Sequence, residues 1–497
     1  MTSSVTTTPS ALGGTGAPSL LPPPIIHRGR LWPSDELAAI AAGWLEHVRA
    51  ALVPDSTLTA MLMSNHPETV ALFFALSALD RPVVVLPADP RAWRSDPPLP
   101  AATPVFVSPP LRALATAGAS ACLRLCELPD AHSAGTARER FFACPGFVSF
   151  TSGSTGLPKP VYITTGSYLE QTSAIVEASS LLPGDPVLGT LQLSTHYGLG
   201  QALILPTALR SALGLVERFD HRSTFRLLAE RPYTYWAATP LMADVLARAP
   251  LSGPPPAAPA ICHISAGRLS ARTFHTFAER FGVRLRPSYG QTENGFITVD
   301  TGSPPDIRPD RVGRPAPGIE VRIGDDPLDP LLPGQPGRVW FRSPWYMEGY
   351  GFPPRLLPRA GREGFSPTAD VGFLDEDGYL ALAGRADDCF KTGLGHLVSP
   401  GAIADSLMSH AGVHDVIVMP IDERGGPLIG VAVEGTVDSG ELRAAAARGL
   451  PPWLQPHVVV VMPALPRLPG GKPDRQACHA RLSDAHRAGV ASPSSPR

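Results

Sequence analysis

Short apolar runs ending in turn residues alternate with helical patterns along most of this chain, and that alternation constrains the fold more than any other feature. The runs TLTAMLMSN (57–65), PVVVLPAD (82–89), TPVFVSP (103–109) and GFVSFTSG (146–153) each read as a buried strand, and DELAAIAAGWLEHVRAALV (35–53) as a helix. Buried strands separated by helices predict an α/β fold with mostly parallel sheets. In such folds ligands bind at the carboxyl ends of the strands, where the Gly- and Ser-rich loops of this chain fall.

The 497 residues are enough for about three lobes. Residues 1–28, rich in Ser, Thr, Pro and Gly, are expected to be an unstructured tail. A large, multi-lobed N-terminal domain is expected over 29–384, and a small α+β C-terminal domain over 385–484. A tail follows at 485–497. The 58 prolines mark a loop-rich chain, while 43% hydrophobic residues argue against wholesale disorder.

Forty-two basic and 44 acidic residues give a net charge of −2, so no electrostatic footprint for nucleic acid or an anionic membrane appears. HVVVVMPAL (457–465) is strand-length, far short of the roughly 20 residues of a membrane helix. No basic start with an apolar stretch opens the sequence, so a cytoplasmic location is expected. The six cysteines are scattered, and the C-x3-C of Cys122 and Cys126 lacks partners for zinc, so small buried thiols are expected. Only three basic residues are lysine: Lys159, Lys391 and Lys472. In so arginine-rich a chain, each lysine is a candidate for a role needing a compact, flexible point charge.

FVSFTSGSTGLPKPV (147–161) runs from a strand into Thr151, Ser152, Gly153, Ser154, Thr155, Gly156 and then Lys159. Glycines turn backbone N–H groups toward an anion, hydroxyls add donors, and the lysine adds charge, which together make a phosphate cradle. A Walker loop needs lysine directly after its last glycine, so the spacing excludes it. RPSYGQTENG (286–295) offers the Thr292 hydroxyl and the Glu293 carboxylate, a hard oxygen ligand suited to Mg²⁺ beside phosphates. TADVGFLDEDGYLALAGRADD (368–388) reads as a hairpin turning at Asp377-Gly378, with Asp370 and Arg385 near its ends. LPRLPGGKPDR (465–475) places Lys472 on a Gly-Gly turn.

In this order the segments resemble the adenylate-forming superfamily of acyl- and aryl-CoA synthetases, luciferases and peptide-synthetase adenylation domains. VGRPAPGIEV (312–321) and GRVWFRSPWYMEGYG (337–351) support the resemblance, which spans about residues 31–484. It implies acyl-AMP formation from a carboxylic acid and MgATP, followed by thiol attack. By position, residues 151–156 and Lys159 would hold the β- and γ-phosphates, with Tyr289 and Gly290 also lining the ATP site. Thr292 would contact the α-phosphate, Glu293 would bind Mg²⁺, and Asp370 and Arg385 would hold the ribose. Lys472 corresponds to the catalytic lysine bridging acid and ATP. Asp387 matches the hinge of a mobile small domain, and Lys391 the lysine facing the site after rotation.

Three departures stand out: Pro160 replaces a glycine, the connector KTGLGHLVSP is one residue longer than usual, and Ala402 replaces a glutamate. The last bears on packing of the small domain.

LQLSTHYGLGQALILPTAL (191–209) sits where the family lines its acyl pocket, and it has no aspartate to pair an α-amino group. His196 takes the place of a gating aromatic, and Tyr197, Gly198, Gly267, Gly290, Gly295 and Phe296 are expected to wall a short, flat cavity. That suits an aryl acid of benzoate or anthranilate type. No Gly-Gly-x-Ser phosphopantetheine site follows Lys472, so the thiol acceptor is expected to come separately, with free coenzyme A as the reading taken. The alternatives are a separate carrier protein or a non-catalytic nucleotide- or acyl-binding homologue.

Overall fold

Alternate residues of single strands feed different cores. Thr59–Met63 sends Met61 and Met63 into one apolar cluster and Ala60 and Leu62 into another. Tyr235–Ala238 does the same, with Tyr235 and Ala237 on one side and Trp236 and Ala238 on the other. Strands buried on both faces need cover on both, which the helices and a second sheet supply.

The computed structural model describes residues 20–52, 56–88, 99–100, 103–113, 124–130, 141–151, 158–251, 253–358, 361–386, 390–392, 397–398, 400–408, 410–423, 426–468 and 473–488. Among them a nine-stranded sheet runs in the order Arg314–Pro315, Gly295–Val299, Arg286–Gln291, Ile261–Ile264, Tyr235–Ala238, Val187–Gly189, Leu213–Leu215, Ile25–His27, Arg30–Trp32. Its six strands from Arg286–Gln291 to Ile25–His27 pair in parallel. An eight-stranded sheet orders Arg355–Leu357, Gly349–Phe352, Pro160–Thr164, Gly146–Phe150, Val83–Pro87, Thr59–Met63, Pro104–Val107, Arg124–Glu127. From Gly146–Phe150 onward it is parallel. The largest apolar cluster draws on both sheets, with Phe147 and Val85 from one and Tyr235 and Leu213 from the other. A third, four-stranded sheet of Glu320–Ile323, Gly337–Arg342, Ser366–Leu374 and Leu380–Arg385 is antiparallel throughout, so the mostly parallel pairing expected does not extend to it.

The sheet of Val413–Ile421, Leu428–Gly435 and Val458–Met462 has its own clusters, built from residues between Phe390 and Ala485. Helices Pro400–Met408, Ser439–Gly449 and Arg475–Arg487 cover it. This is the compact α+β unit expected after residue 384.

Local chemistry sets the helix ends. Thr164 caps Thr165–Ala178 by accepting from Ser167 N, and Thr239 caps Pro240–Arg248, whose first position is a proline. Ala271–Phe281 stops at Gly282, whose φ of +68° a glycine adopts without strain. None of the described helices is long and apolar enough to cross a membrane.

Two boundaries move. The expected N-terminal tail of 1–28 contains a strand, because Ile25–His27 inserts beside Leu213–Leu215 with Ile25 fully buried. Composition hid this: the three prolines before Ile25 masked a strand only three residues long. At the other end the last helix runs to Arg487, past the expected start of the tail at 485.

That first strand carries a pH liability. Burial and the Arg28 guanidinium lower the His27 pKa to about 4, with Glu217 at 3.5 Å drawn to Arg28 as well. His66, in edge contact with His27, is lowered to about 4, first by burial. His66 Nδ1 also accepts from Glu68 N as a helix cap, which requires an unprotonated nitrogen. Both imidazoles bind protons more readily when unfolded, so their contribution is complete above pH 6.5 and is lost as pH falls toward 4. The urea midpoint is expected to drop across that window, and His27→Gln to flatten the drop.

Candidate active site

The centre of the site is the hairpin RPSYGQTENG. Strands Arg286–Gln291 and Gly295–Val299 pair antiparallel with a bulge between Tyr289 and Gly290. The turn closes through Asn294 N to Gln291 O at 3.1 Å and Asn294 Nδ2 to Phe296 O at 2.9 Å, with Asn294 fully buried. A Cβ on Gly290 would sit 2.2 Å from the Gly295 carbonyl oxygen, so glycine is required by close backbone approach.

This turn presents two polar groupings. In the first, Tyr289 Oη donates to Asp370 Oδ2 at 2.6 Å. Asp370 lies opposite Arg385 in the pairing of Ser366–Leu374 with Leu380–Arg385, and their charged groups stand 3.8 Å apart. The expected turn at Asp377-Gly378 joins these strands, with Gly378 at φ +78°. Burial and the Asp370 carboxylate push the Tyr289 hydroxyl well above its usual pKa, so it stays a donor.

In the second, Tyr350 Oη donates to Glu293 Oε1 at 2.7 Å, and Met347 N donates to Glu293 O at 2.9 Å. Lys159 Nζ lies 5.5 Å from the centre of the Tyr350 ring. Thr151 and Lys159 close the base of the glycine-rich loop, through Thr151 N to Lys159 O and Lys159 N to Thr151 Oγ1, both 3.0 Å. Pro160 is tolerated because it begins a strand opposite Phe150.

Ser152, Gly153, Ser154, Thr155 and Gly156 lie outside the described residues, as do Asp387 and Lys472. Arg467 and Pro473, on either side of Lys472 in the sequence, form an isolated antiparallel bridge. Lys391 pairs through its backbone with Leu397. Thr292 sits in the hairpin turn beside Glu293.

The acyl-pocket residues gather in part. His196 is buried, with Nδ1 2.7 Å from Tyr168 Oη, and burial lowers its pKa to about 4. Its Nε2 and the Gln171 side chain crowd the face of Gly295, where an added Cβ would meet them at 3.2 and 2.3 Å. The Tyr197 ring meets Phe296 edge-on at 5.8 Å, and His263 stands 6.0 Å from Phe296. Gly198 serves backbone packing, since a Cβ there would lie 2.0 Å from Gln192 O. Gly267 is exposed, with Pro240 3.4 Å from its Cβ position.

Sequence reasoning passed over Tyr350, Tyr168, Gln171 and His263. Tyr350 lies in a quoted supporting segment without a role. Tyr168 and Gln171 are three apart on Thr165–Ala178, the spacing that places two side chains on one helical face. Cys144, Cys262 and Cys478 are buried free thiols, and Cys126 is half-buried. Among the described residues no group of three or more His, Cys, Asp or Glu is placed to hold a metal.

Residues 143–351 match the family model described as AMP-binding enzyme. The chain is 28% identical over 338 residues to the sulfoacetate–CoA ligase of Cupriavidus necator, covering 67% of this chain and 66% of the relative. It is 27% identical over 342 residues to the 3-hydroxybenzoate–CoA ligase of an Aromatoleum species, covering 66% and 64%. The matches thus span just under two thirds of these relatives' lengths. ATP-bound MatB from Rhodopseudomonas palustris superposes with a TM-score of 0.79 at 20% identity, over 94% of this chain and 97% of that one. Residues 143–351 therefore match an AMP-binding enzyme domain, and the chain shares its fold with MatB. That domain contains the glycine-rich loop, the hairpin and Tyr350, and it ends before Asp370 and Arg385.

Gly290→Ala is expected to destabilise the protein by about 1–3 kcal/mol in urea denaturation, since backbone must move to admit the methyl group.

Proposed function

We propose that this chain activates a small carboxylic acid with ATP and passes the acyl group to the thiol of coenzyme A. The observation that carries this reading is the convergence on one hairpin of two groupings. Tyr289, Asp370 and Arg385 have ribose-binding chemistry; Glu293, Tyr350 and Lys159 have phosphate- and metal-facing chemistry. Two relatives named as CoA ligases support the thiol acceptor.

In the first half-reaction a carboxylate oxygen bonds to the α-phosphorus of ATP and the bond to pyrophosphate breaks, leaving acyl-AMP. In the second, the thiol sulfur bonds to the acyl carbon, the bond to AMP breaks, and the thiol proton leaves to solvent. The obstacle is electrostatic: two unit charges 4 Å apart repel by about 4 kcal/mol at an effective dielectric near 20. Lys159 and the loop 151–156 hold the β- and γ-phosphates, Thr292 the α-phosphate, and Lys472 bridges the acid and ATP. Asp370 accepts from the ribose hydroxyls, oriented by Tyr289 and Arg385.

The site fits Mg²⁺. Glu293 offers a hard carboxylate whose Oε2 has no hydrogen bond among the described residues, and a magnesium ion between phosphates needs only one or two such carboxylates. When bound, the ion draws charge from the phosphate oxygens as the α-phosphorus is attacked.

The acid we favour is aryl, of benzoate or anthranilate type. Tyr197, Phe296 and His263 offer aromatic faces, and no aspartate lies between Leu191 and Leu209 to pair an α-amino group. The small domain turns about Asp387 between the half-reactions, bringing Lys391 to the site for the second.

Pyrophosphate release across an acid panel tests the first step. Benzoate-type acids should far exceed decanoate and phenylalanine; preference for decanoate removes the aryl assignment, and no release with any acid removes the enzyme reading. Thioester formation with free coenzyme A against a holo-carrier protein decides the acceptor.

Single-turnover kinetics test the alternation. Lys472→Ala should slow acyl-adenylate formation by about 10²–10³-fold while preformed acyl-AMP is still converted to thioester. Lys391→Ala should show the milder, opposite pattern. Equal losses in both steps for Lys472→Ala would refute a rotating domain.

A further inference from the structure

Tyr350 touches both halves of the phosphate-facing grouping with different parts of one side chain. Its hydroxyl donates to Glu293 Oε1 at 2.7 Å, and its ring lies beneath Lys159 Nζ, 5.5 Å from the centroid and within the range of cation–π attraction. The backbone explains the placement. Strand Gly349–Phe352 pairs antiparallel with Pro160–Thr164, setting Tyr350 opposite Val161, two residues beyond Lys159. One turn earlier in the same segment, Met347 N donates to Glu293 O at 2.9 Å, and Glu348 N donates to Tyr162 O at 2.9 Å. Residues 347–350 thus form a strap from the eight-stranded sheet to the hairpin of the nine-stranded one.

We propose that Tyr350 is a positioning residue that fixes the Glu293 carboxylate for Mg²⁺ and holds Lys159 over the same phosphates. The inference rests on the reading of Glu293 and Lys159 given above. Glu293 has two carboxylate oxygens; the hydroxyl occupies Oε1 and sets the plane of the group, which leaves Oε2 directed by geometry rather than by rotamer chance. Partners of this kind, one bond removed from a metal, typically change its affinity by about 10–100-fold. The ring acts separately. It gives an exposed ammonium a face to rest on without the fixed geometry of an ion pair, and that leaves Lys159 able to follow a phosphate.

Two substitutions separate the two contacts. Tyr350→Phe keeps the ring and loses the hydroxyl; Tyr350→Leu loses both. The measurement is calorimetric titration of Mg²⁺ into the full-length protein saturated with a non-hydrolysable ATP analogue, alongside titration of the analogue into metal-free protein. Tyr350→Phe should weaken Mg²⁺ by about 10-fold or more and leave metal-free nucleotide binding unchanged. Tyr350→Leu should weaken metal-free binding as well, by about 2–5-fold for loss of an exposed cation–π contact. Because the hydroxyl acts through Glu293, the double variant Tyr350→Phe/Glu293→Gln should bind Mg²⁺ no more weakly than Glu293→Gln alone.

A merely structural tyrosine would instead add its loss to that of Glu293→Gln and weaken metal-free nucleotide binding equally. Either that additivity or wild-type Mg²⁺ affinity in Tyr350→Phe overturns the inference alone. Unchanged Mg²⁺ affinity in Glu293→Gln overturns it together with the assignment of the site.

Discussion

The turn at Thr292–Asn294 is held from two sheets at once, and the site depends on that restraint. Its own strands belong to the nine-stranded sheet, while Met347 N and Tyr350 Oη reach Glu293 from a segment whose strand is the neighbour of Pro160–Thr164 in the eight-stranded one. The two sheets share the largest apolar cluster, so they cannot slide past each other without opening a close-packed interior. A carboxylate on a free turn would sample several rotamers; one bonded to a rigid neighbour meets a ligand already oriented. The glycines at 290 and 295 belong to the same restraint. Each lets a neighbouring group approach where a Cβ would stand, the Gly295 carbonyl at Gly290 and the Gln171 amide at Gly295.

The third sheet adds the second polar grouping. Asp370 comes from Ser366–Leu374, and Tyr289 from the hairpin reaches it at 2.6 Å. The pairing that sets Arg385 opposite Asp370 contains a bulge between Val371 and Gly372, next to the aspartate. Bulges re-aim side chains at the ends of ladders, and this one lies where Asp370 turns toward Tyr289. Three sheets thus meet around one turn, each contributing a polar group that the others hold in place.

The sequence revealed the parts of this arrangement that depend on local pattern. The runs at 57–65, 82–89, 103–109 and 146–153 became adjacent strands of one sheet because apolar residues bounded by turn residues identify buried strands wherever they occur. Thr151, Lys159, Glu293, Asp370 and Arg385 were singled out by their order in the sequence, and the structure shows where they lie. What escaped depends on distant contacts. Ile25–His27 is three residues long, and only its parallel partner Leu213–Leu215 makes it a strand. Gly198 read as open pocket wall because a glycine's sequence position does not say whether the missing side chain leaves space or admits a carbonyl; here it admits Gln192 O. Tyr350 was one aromatic among several in its segment. Its partner Glu293 is 57 positions away and belongs to the other large sheet, so their contact has no signature in the sequence of either.

The near-exclusion of lysine makes sense beside these contacts. Arginines in this chain are spent on fixed geometry: Arg311 pairs with Asp375 while its guanidinium stacks on Tyr379, and Arg467 bridges Asp415 and Glu434 inside the small domain. The planar fork suits such sites because its donors arrive pre-oriented. Lys159 makes no ion pair among the described residues; its ammonium is exposed and leans on an aromatic face. An ammonium resting on the tyrosine ring stays available to a phosphate, while the hydroxyl on the same ring occupies the oxygen of Glu293 that faces it. Tyr350 thus touches both groups with different parts of one side chain, its ring beneath the Lys159 ammonium and its hydroxyl on a Glu293 oxygen.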